Sequence, residues 1–215
     1  MTGGSPIPHH ALPILLLAAG QSRRMRGTDK LMEDAGGQPL LRRQADRARA
    51  ATEGPVLVTL PPPPHPRHDA LGGLDVAPVP VADATEGMAA SLRAGFAALP
   101  PGVPAAMILL ADLPDLTTDD LKTVLQAVDL TSDKLVWRGA TRTGAPGHPI
   151  VVAAPLFAAF ARLTGDSGGQ EVIRAAEGRV RLVPLPGDRA RRDLDTPEDW
   201  ATWRAEQAAR GPKAR

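Results

Sequence analysis

The chain has 215 residues, of which 43% are hydrophobic and 23% charged, and its formal net charge is +1. This length and composition predict a single globular domain, and the balanced charge argues against long nucleic acids as partners, because these are bound by a strongly basic face. The chain has no cysteine, which excludes disulfides, thiolate catalysis and cysteine-ligated zinc. The apolar run from Leu12 to Ala19 is too short to span a membrane, and we expect a cytoplasmic protein.

Strands and helices alternate along the chain, which predicts an α/β fold with a largely parallel sheet. We expect a disordered lead-in over residues 1–11, the domain over 12–205 and a frayed tail over 206–215. The predicted strands are 13–18, 56–60, 76–81, 105–111, 135–137, 150–152 and 180–185. The predicted helices are 39–51, 87–99, one capped near Thr117 or Thr118 and running through Val128, 155–163, 171–176, and one that starts at Thr196–Pro197 and runs to about Arg210.

Two connecting segments stand out by composition. The proline-rich segment 61–66 predicts a stiff, extended connector that is neither helix nor central strand. The glycine-rich segment 139–148 predicts a hairpin or loop between two short strands. Strand 76–81 contains two prolines, so an edge or irregular position suits it.

The first candidate site is the loop that follows the first predicted strand. Small residues at Ala19 and Gly20 allow the backbone to approach a ligand closely, and exposed N–H groups together with cations suit phosphate oxygens. The cations of this loop are Arg23, Arg24, Arg26 and Lys30. Its spacing is neither that of a P-loop nor that of the dinucleotide fingerprint. The alternative is a solvated basic turn.

Carboxylates follow later elements of the chain. Asp112 comes directly after the strand 105–111, a position from which a carboxylate can hold Mg²⁺. Asp193 and Asp195 alternate, so in an extended segment they point the same way and can complete a metal site with Asp112. The alternatives are a turn or helix-cap aspartate at Asp112 and helix-capping acids at the other two positions.

Three further segments carry weaker signals. The helix start around Gly87 and Met88 has small residues against which a base or ribose can lie, although taken alone such residues more often serve packing. The turns 147–149 and 165–169 can border a second substrate. His148 has no spaced partner in the sequence, and a structural role is its alternative.

Taken together, these segments resemble the MobA-like nucleotidyltransferase family. Leu17 to Met25 with Asp29–Lys30–Leu31 resembles the signature loop of that family, and 110–114 resembles its metal-binding aspartate motif. The segments 87–95, 147–149, 165–169 and 193–199 resemble further motifs of the family, and the likeness extends over about residues 13–205. The resemblance implies a Rossmann-like fold of the nucleotide-diphospho-sugar transferase type, Mg²⁺ as cofactor and an NTP as substrate.

Within the family, Ala18–Ala19–Gly20 is similar to the branch that makes molybdopterin cytosine dinucleotide from CTP. The branch that transfers a guanylyl group usually carries Ala-Gly-Gly at these positions. In the family pattern glycine commonly follows the methionine directly, whereas here Arg26 intervenes before Gly27. The segment 166–169 also lacks the arginine of some relatives.

The resemblance implies a role for each candidate residue. The residues expected to act in the reaction are Arg24, Lys30 and Asp112. Those expected to bind the nucleotide are Leu17, Ala18, Ala19, Gly20, Ser22, Arg23, Arg24, Lys30, Gly87, Met88, Ser91 and Asp112. The expected metal ligands are Asp112, Asp193 and Asp195, and the residues expected at the second substrate are His148, Pro149, Asp166 and Gly168.

The implied reaction is transfer of CMP from CTP to the phosphate of molybdopterin, with a molybdoenzyme as a possible acceptor of the product. The alternatives are a GTP-dependent molybdopterin guanylyltransferase, a nucleotidyltransferase for another phosphorylated or acidic small molecule, and a non-catalytic chaperone that binds the molybdenum cofactor.

Overall fold

The computed structural model describes residues 11–165 and 168–209, which form one seven-stranded sheet flanked by helices. The strands are β1 (Ile14–Leu17), β2 (Val56–Leu60), β3 (Ala77–Pro80), β4 (Ala105–Leu110), β5 (Val136–Ala140), β6 (Pro146–Ala153) and β7 (Val180–Pro184). Their order across the sheet is β3-β2-β1-β4-β6-β5-β7. All neighbours are parallel except at β6, which runs antiparallel to β4 and β5. The predicted α/β fold with a mostly parallel sheet is confirmed.

Helices cover both faces of this sheet. They are α1 (Leu40–Ala51), α2 (Pro66–Asp69), α3 (Met88–Ala97), α4 (Thr118–Gln126), α5 (Phe157–Phe160), α6 (Gln170–Ala175) and α7 (Pro197–Ala209). Alternate residues of β1 point to opposite faces, so Ile14 and Leu16 belong to the same buried cluster as residues of α1, α4 and α7, whereas Leu15 and Leu17 belong to the cluster that contains residues of α3, α5 and α6. Burial on both faces explains why β1 and β4 are continuous apolar runs and why β2 is apolar except for the buried Thr59.

Two helix starts have the caps that the sequence predicts. The Thr117 hydroxyl accepts a hydrogen bond from the Asp120 N–H at 3.2 Å, and the Asp120 carboxylate accepts one from the Thr117 N–H at 2.9 Å. Thr196 and Asp199 exchange the same pair of bonds at the start of α7, at 3.2 and 2.9 Å. Each reciprocal pair satisfies two N–H groups that otherwise have no partner at a helix start.

The prediction for the proline-rich connector was wrong at its last residue. Pro66 is the first residue of α2, and the His65 ring accepts a hydrogen bond from the Arg67 N–H at 3.3 Å. Proline is tolerated there because the N–H group it lacks has no partner within the helix. The edge position predicted for the strand containing Pro78 and Pro80 is confirmed, since β3 pairs only with β2 among the described residues.

The predicted hairpin is present, because β5 and β6 pair antiparallel across the glycine-rich segment, but its loop is shorter than the segment 139–148. β5 and β6 continue into segment 139–148, which leaves 141–145 as the connection. Close approach of backbones explains the glycines, because a Cβ at Gly147 would lie 2.1 Å from the Ala190 carbonyl oxygen. The predicted helix 155–163 was too long, since only Phe157–Phe160 is α-helical, after a 3-10 turn over Ala154–Leu156.

The predicted domain boundaries remain predictions. Residues 1–10 and 210–215 lie outside the described residues, and the helix α7 includes residues 206–209. Within 11–165 and 168–209, no helix has both the length and the apolar character needed to cross a membrane.

The order of the strands determines where a ligand can bind. From β1 the chain moves through α1 to β2 and β3 on one side, and α3 then returns it to β4 on the other side. β1 and β4 are parallel neighbours with Leu17 opposite Leu110. A crevice opens at the carboxyl ends of strands where the chain direction across the sheet reverses in this way. The loop after Leu17 and the residues after Leu110 therefore face each other across this crevice.

Candidate active site

A cavity of about 420 Å³ opens at the carboxyl ends of β1 and β4. The structure brings to its walls all of the residues predicted to bind a nucleotide: Leu17, Ala18, Ala19, Gly20, Ser22, Arg23, Arg24, Lys30, Gly87, Met88, Ser91 and Asp112. The predicted metal ligands Asp193 and Asp195 also line it. Residues from four separate parts of the chain therefore form one cavity.

Lys30 is the centre of an ion cluster in this cavity. Its ammonium nitrogen lies 2.6 Å from Asp112 Oδ2 and 2.7 Å from Asp195 Oδ1, and its side chain is 14% exposed. Burial alone would lower the pKa of Lys30, but the two carboxylates outweigh it and raise this pKa above its usual value. Arg24 contacts the same Asp195 carboxylate at 2.5 Å. Two cations of the loop are thus held by aspartates from distant parts of the chain.

The segment that carries Asp193 and Asp195 is attached to the end of β4. The Leu194 N–H donates to the Asp112 carbonyl oxygen at 3.1 Å, and the Leu194 side chain is buried in the core. The two flanking carboxylates accordingly turn to the cavity side, as the alternation predicts. Burial and the Asp195 carboxylate raise the pKa of Asp193, whereas Lys30 overcomes burial at Asp195 and lowers its pKa.

The loop between β1 and Lys30 has an unusual backbone. Ser22 and Arg26 have φ values of 51° and 52°, in the left-handed region that favours glycine, and they flank a 3-10 turn over Arg23–Met25. Met25 is buried and anchors the turn in the core. The Arg26 side chain points away to Glu198 at 2.7 Å and does not line the cavity, whereas Arg23 and Arg24 do.

Comparison with known proteins identifies the family. A family model described as the MobA-like NTP transferase domain matches residues 14–180. The chain belongs to this family of nucleotidyltransferases. Among curated proteins, none matches the chain.

Several solved structures have the same fold. The homologue of Mycobacterium tuberculosis Rv0371c from Mycobacterium sp. strain JC1 is 25% identical, with a TM-score of 0.81 over 94% of this chain and 99% of that one. Rv0371c of M. tuberculosis in complex with manganese is 23% identical, with a TM-score of 0.74 over 89% and 97%. A CMP:2-keto-3-deoxy-manno-octonic acid synthetase with bound CTP is 15% identical, with a TM-score of 0.71 over 93% and 97%.

The carboxylates in the cavity fit a divalent metal ion. No three acidic or histidine side chains within the described residues are grouped closely enough to enclose an ion by themselves. Mg²⁺, however, is usually bound by one or two carboxylates together with water and substrate phosphates. Asp112 and Asp195 already share one cation, and the buried Asp112 Oδ1 has no hydrogen-bond partner among the described residues. Asp112 therefore has a lone pair available for a metal.

The residues predicted at the second substrate are not gathered in this cavity. His148 and Pro149 belong to β6 and do not line it. Gly168 lies beside Met88, since a Cβ at Gly168 would be 3.2 Å from the Met88 sulfur. Asp166 lies outside the described residues. A role of these positions at a second substrate remains a prediction.

His148 is expected to make stability depend on pH. Its Nδ1 is buried without a hydrogen-bond partner among the described residues, and burial together with Arg138, opposed by Asp112, lowers its pKa to about 4. The unfolded chain binds a proton at this residue near pH 6.5, whereas the folded protein does so only near pH 4, so stability falls as pH decreases through this window. Thermal melts should show this loss in the wild type and a flatter profile in His148→Gln. An equal slope in both proteins would mean that His148 titrates normally in the folded state.

One buried arginine near the site was missed by the sequence analysis. Arg67 in α2 is 2% exposed and reaches beneath the loop that follows β1. It also borders a second cavity of about 570 Å³ on the other side of this loop, together with Gly20, His65 and Thr85. Arg67 directly follows the proline-rich segment 61–66, and the sequence pattern there contains no signal for its burial.

Proposed function

We propose that this chain transfers CMP from CTP to the terminal phosphate of molybdopterin and releases pyrophosphate. The observation that carries the proposal is the position of the Lys30 ammonium between Asp112 and Asp195, in a cavity that the loop 18–24 also lines. A cation, two carboxylates and a polar loop in one crevice provide what a triphosphate and its metal require. Membership of a nucleotidyltransferase family supports the same reaction class.

The loop and its cations are suited to hold the triphosphate. A Cβ at Gly20 would meet no protein atom within 4 Å, so no contact within the described residues requires glycine there, and the space is open to a ligand. Arg24 and Lys30 are bound to aspartates through their charged ends, which are also the atoms that phosphate oxygens would contact. An incoming triphosphate competes with Asp195 for both cations. We therefore expect Arg24 and Lys30 to exchange their contacts with Asp195 for contacts with the phosphates when CTP binds.

The transfer step needs little more than positioning and neutralisation of charge. An oxygen of the molybdopterin phosphate attacks the α-phosphorus of CTP in line, the bond from that phosphorus to the β-phosphate oxygen breaks, and pyrophosphate leaves. The attacking phosphate is already ionised at neutral pH, so no general base has to remove a proton. Mg²⁺, held by Asp112 with Asp195 or Asp193, would neutralise charge on the phosphate oxygens.

Two observations favour CTP as the donor. Ala18–Ala19–Gly20 is similar to the branch of the family that uses CTP, and the CMP:2-keto-3-deoxy-manno-octonic acid synthetase with the same fold was solved with CTP. The first turn of α3, with Gly87, Met88 and Ser91 in the cavity wall, offers small and apolar surface for the base or ribose. A molybdoenzyme that receives the product and a cytoplasmic location are part of this proposal.

A comparison of nucleotides tests the choice of donor. Purified protein with Mg²⁺ and molybdopterin should release pyrophosphate with CTP at least tenfold faster than with GTP, ATP or UTP. Preference for GTP would instead identify a guanylyltransferase. Pyrophosphate release from CTP with a phosphorylated sugar as acceptor, and none with molybdopterin, would identify a different acceptor. No release with any NTP, combined with tight binding of the cofactor, would identify a carrier without catalytic activity.

A further inference from the structure

The buried Arg67 and the partly buried Asp29 form an ion pair beneath the loop that carries the catalytic cations. Arg67 is contributed by α2, 38 residues further along the chain than Asp29, and its guanidinium makes a two-pronged contact with the carboxylate. Nε lies 2.7 Å from Asp29 Oδ2 and Nη2 lies 2.6 Å from Asp29 Oδ1. Burial would raise the pKa of Asp29, but Arg67 outweighs it and keeps this pKa below its usual value. The pair is therefore charged and geometrically defined.

The same guanidinium is bonded to both ends of the loop. Nη1 donates to the Ala18 carbonyl oxygen at 2.6 Å, where the chain leaves β1, and Nη2 lies 3.3 Å from the Ser22 hydroxyl. Asp29 lies immediately before Lys30, where the loop ends. One side chain thus connects the entry, the turn and the exit of the loop.

Ser22 extends this network to the backbone of Lys30. Its hydroxyl donates to Asp29 Oδ1 at 3.2 Å and accepts from the Lys30 N–H at 3.2 Å as well as from Arg67. One donor and two acceptor sites are the full capacity of a hydroxyl group. The network also explains how Ser22 keeps a left-handed backbone, which is costly for a residue with a side chain.

We propose that Arg67 is a positioning residue, which fixes the shape of the loop so that Lys30 and Arg24 face the triphosphate. The expected effect of Arg67 on turnover rests on the proposed function, whereas its effect on the shape of the loop does not. Arg67 is 2% exposed, and its N–H groups bind Asp29, Ala18 and Ser22, so it is not available as a phosphate ligand. The planar fork of arginine, and not its charge alone, makes these contacts simultaneously.

The first test compares Arg67→Lys and Arg67→Met with the wild type. If geometry is what Arg67 supplies, both variants should lose turnover on the order of a hundredfold, since a displacement of about 1 Å at a reacting group can cost that much. The loss should fall mainly on kcat, with a smaller rise in KM for CTP. Substantial rescue by lysine would mean that Arg67 acts through its charge, and the inference would be wrong.

Amide hydrogen exchange provides a readout that does not depend on catalysis. Arg67→Met should increase exchange in the segment 18–31, while exchange in β4 and α4 stays as in the wild type. Arg189→Met is the control, because Arg189 also pairs with an aspartate, the buried Asp120 at 3.2 Å, but lines neither of the two cavities beside the loop. This control should leave both the exchange of 18–31 and the turnover unchanged.

Asp29→Asn covers the case in which Arg67→Met does not fold. It keeps the shape of the carboxylate but removes its charge and replaces one acceptor oxygen by an NH2 group that cannot accept from Arg67. We expect faster exchange in 18–31 and a roughly tenfold loss of turnover. Unchanged exchange in 18–31 in Asp29→Asn and in every folded Arg67 variant would overturn the inference. Faster exchange in a protein that releases no pyrophosphate would support the structural role of Arg67 and contradict the proposed function instead.

Discussion

Asp112→Asn is expected to lower nucleotidyl transfer by roughly a thousandfold while the protein stays folded. Asp112 contacts Lys30 through Oδ2 and keeps a buried Oδ1 without a hydrogen-bond partner among the described residues. Asparagine has the same shape but no charge, so it removes a metal ligand and the counter-ion of Lys30 at once. Steady-state turnover at increasing Mg²⁺, together with a thermal melt, measures both effects.

The exposed Asp119 in the first turn of α4 gives a matched control. Asp119→Asn removes one carboxylate from the same surface of the fold without touching the cavity, and its turnover should equal that of the wild type. If Asp112→Asn retained the wild-type rate and the same response to Mg²⁺, Asp112 would be a turn residue and not a metal ligand.

Lys30→Ala is expected to lower kcat by about a hundredfold or more. Lys30 is the cation that lies deepest in the cavity, and its removal leaves the Asp112 and Asp195 carboxylates without the charge that they share. The melting temperature should fall moderately, because two partly buried carboxylates then repel each other. Measurements of kcat, KM for CTP and the melting temperature on the same preparation separate the catalytic loss from the loss of stability.

Lys122→Ala serves as the control for this substitution, since Lys122 is exposed on α4. It should change neither turnover nor stability appreciably. Turnover of Lys30→Ala near the wild-type value would remove Lys30 from the mechanism, even if the variant were less stable.

The site was largely predictable because its parts follow parallel strands. β1 and β4 are long apolar runs that are easily recognised, and the carboxyl ends of neighbouring parallel strands meet at one edge of the sheet. Once these two strands are placed side by side, the loop with Lys30 must face Asp112. The alternation of Asp193 and Asp195 around the buried Leu194 similarly predicts their common orientation.

The features that sequence reasoning missed depend on contacts between distant segments. Arg67 is buried because Asp29 and the Ala18 carbonyl lie next to it in the fold. The residues beside Arg67 in the sequence give no indication of these contacts. β5 and β6 continue through glycines because the segment around Ala190 packs against Gly147, which local strand propensity does not reveal.

The conformation of the loop was also beyond sequence reasoning. Arg26 adopts a left-handed backbone where the family commonly has glycine, and Glu198 in α7 contacts its side chain. A non-glycine residue in this conformation is uncommon and is maintained by the surrounding structure. The structure thereby separates the three arginines: Arg23 and Arg24 line the cavity, and Arg26 faces α7.

Mass spectrometry of the reaction product tests the central claim most directly. The protein is incubated with molybdopterin, Mg²⁺ and each of the four NTPs, and the pterin fraction is analysed. With CTP we expect a product that is heavier than molybdopterin by one CMP unit, together with one pyrophosphate for each molecule formed. Unmodified molybdopterin with every NTP, from a protein that is folded and binds CTP, would contradict the account.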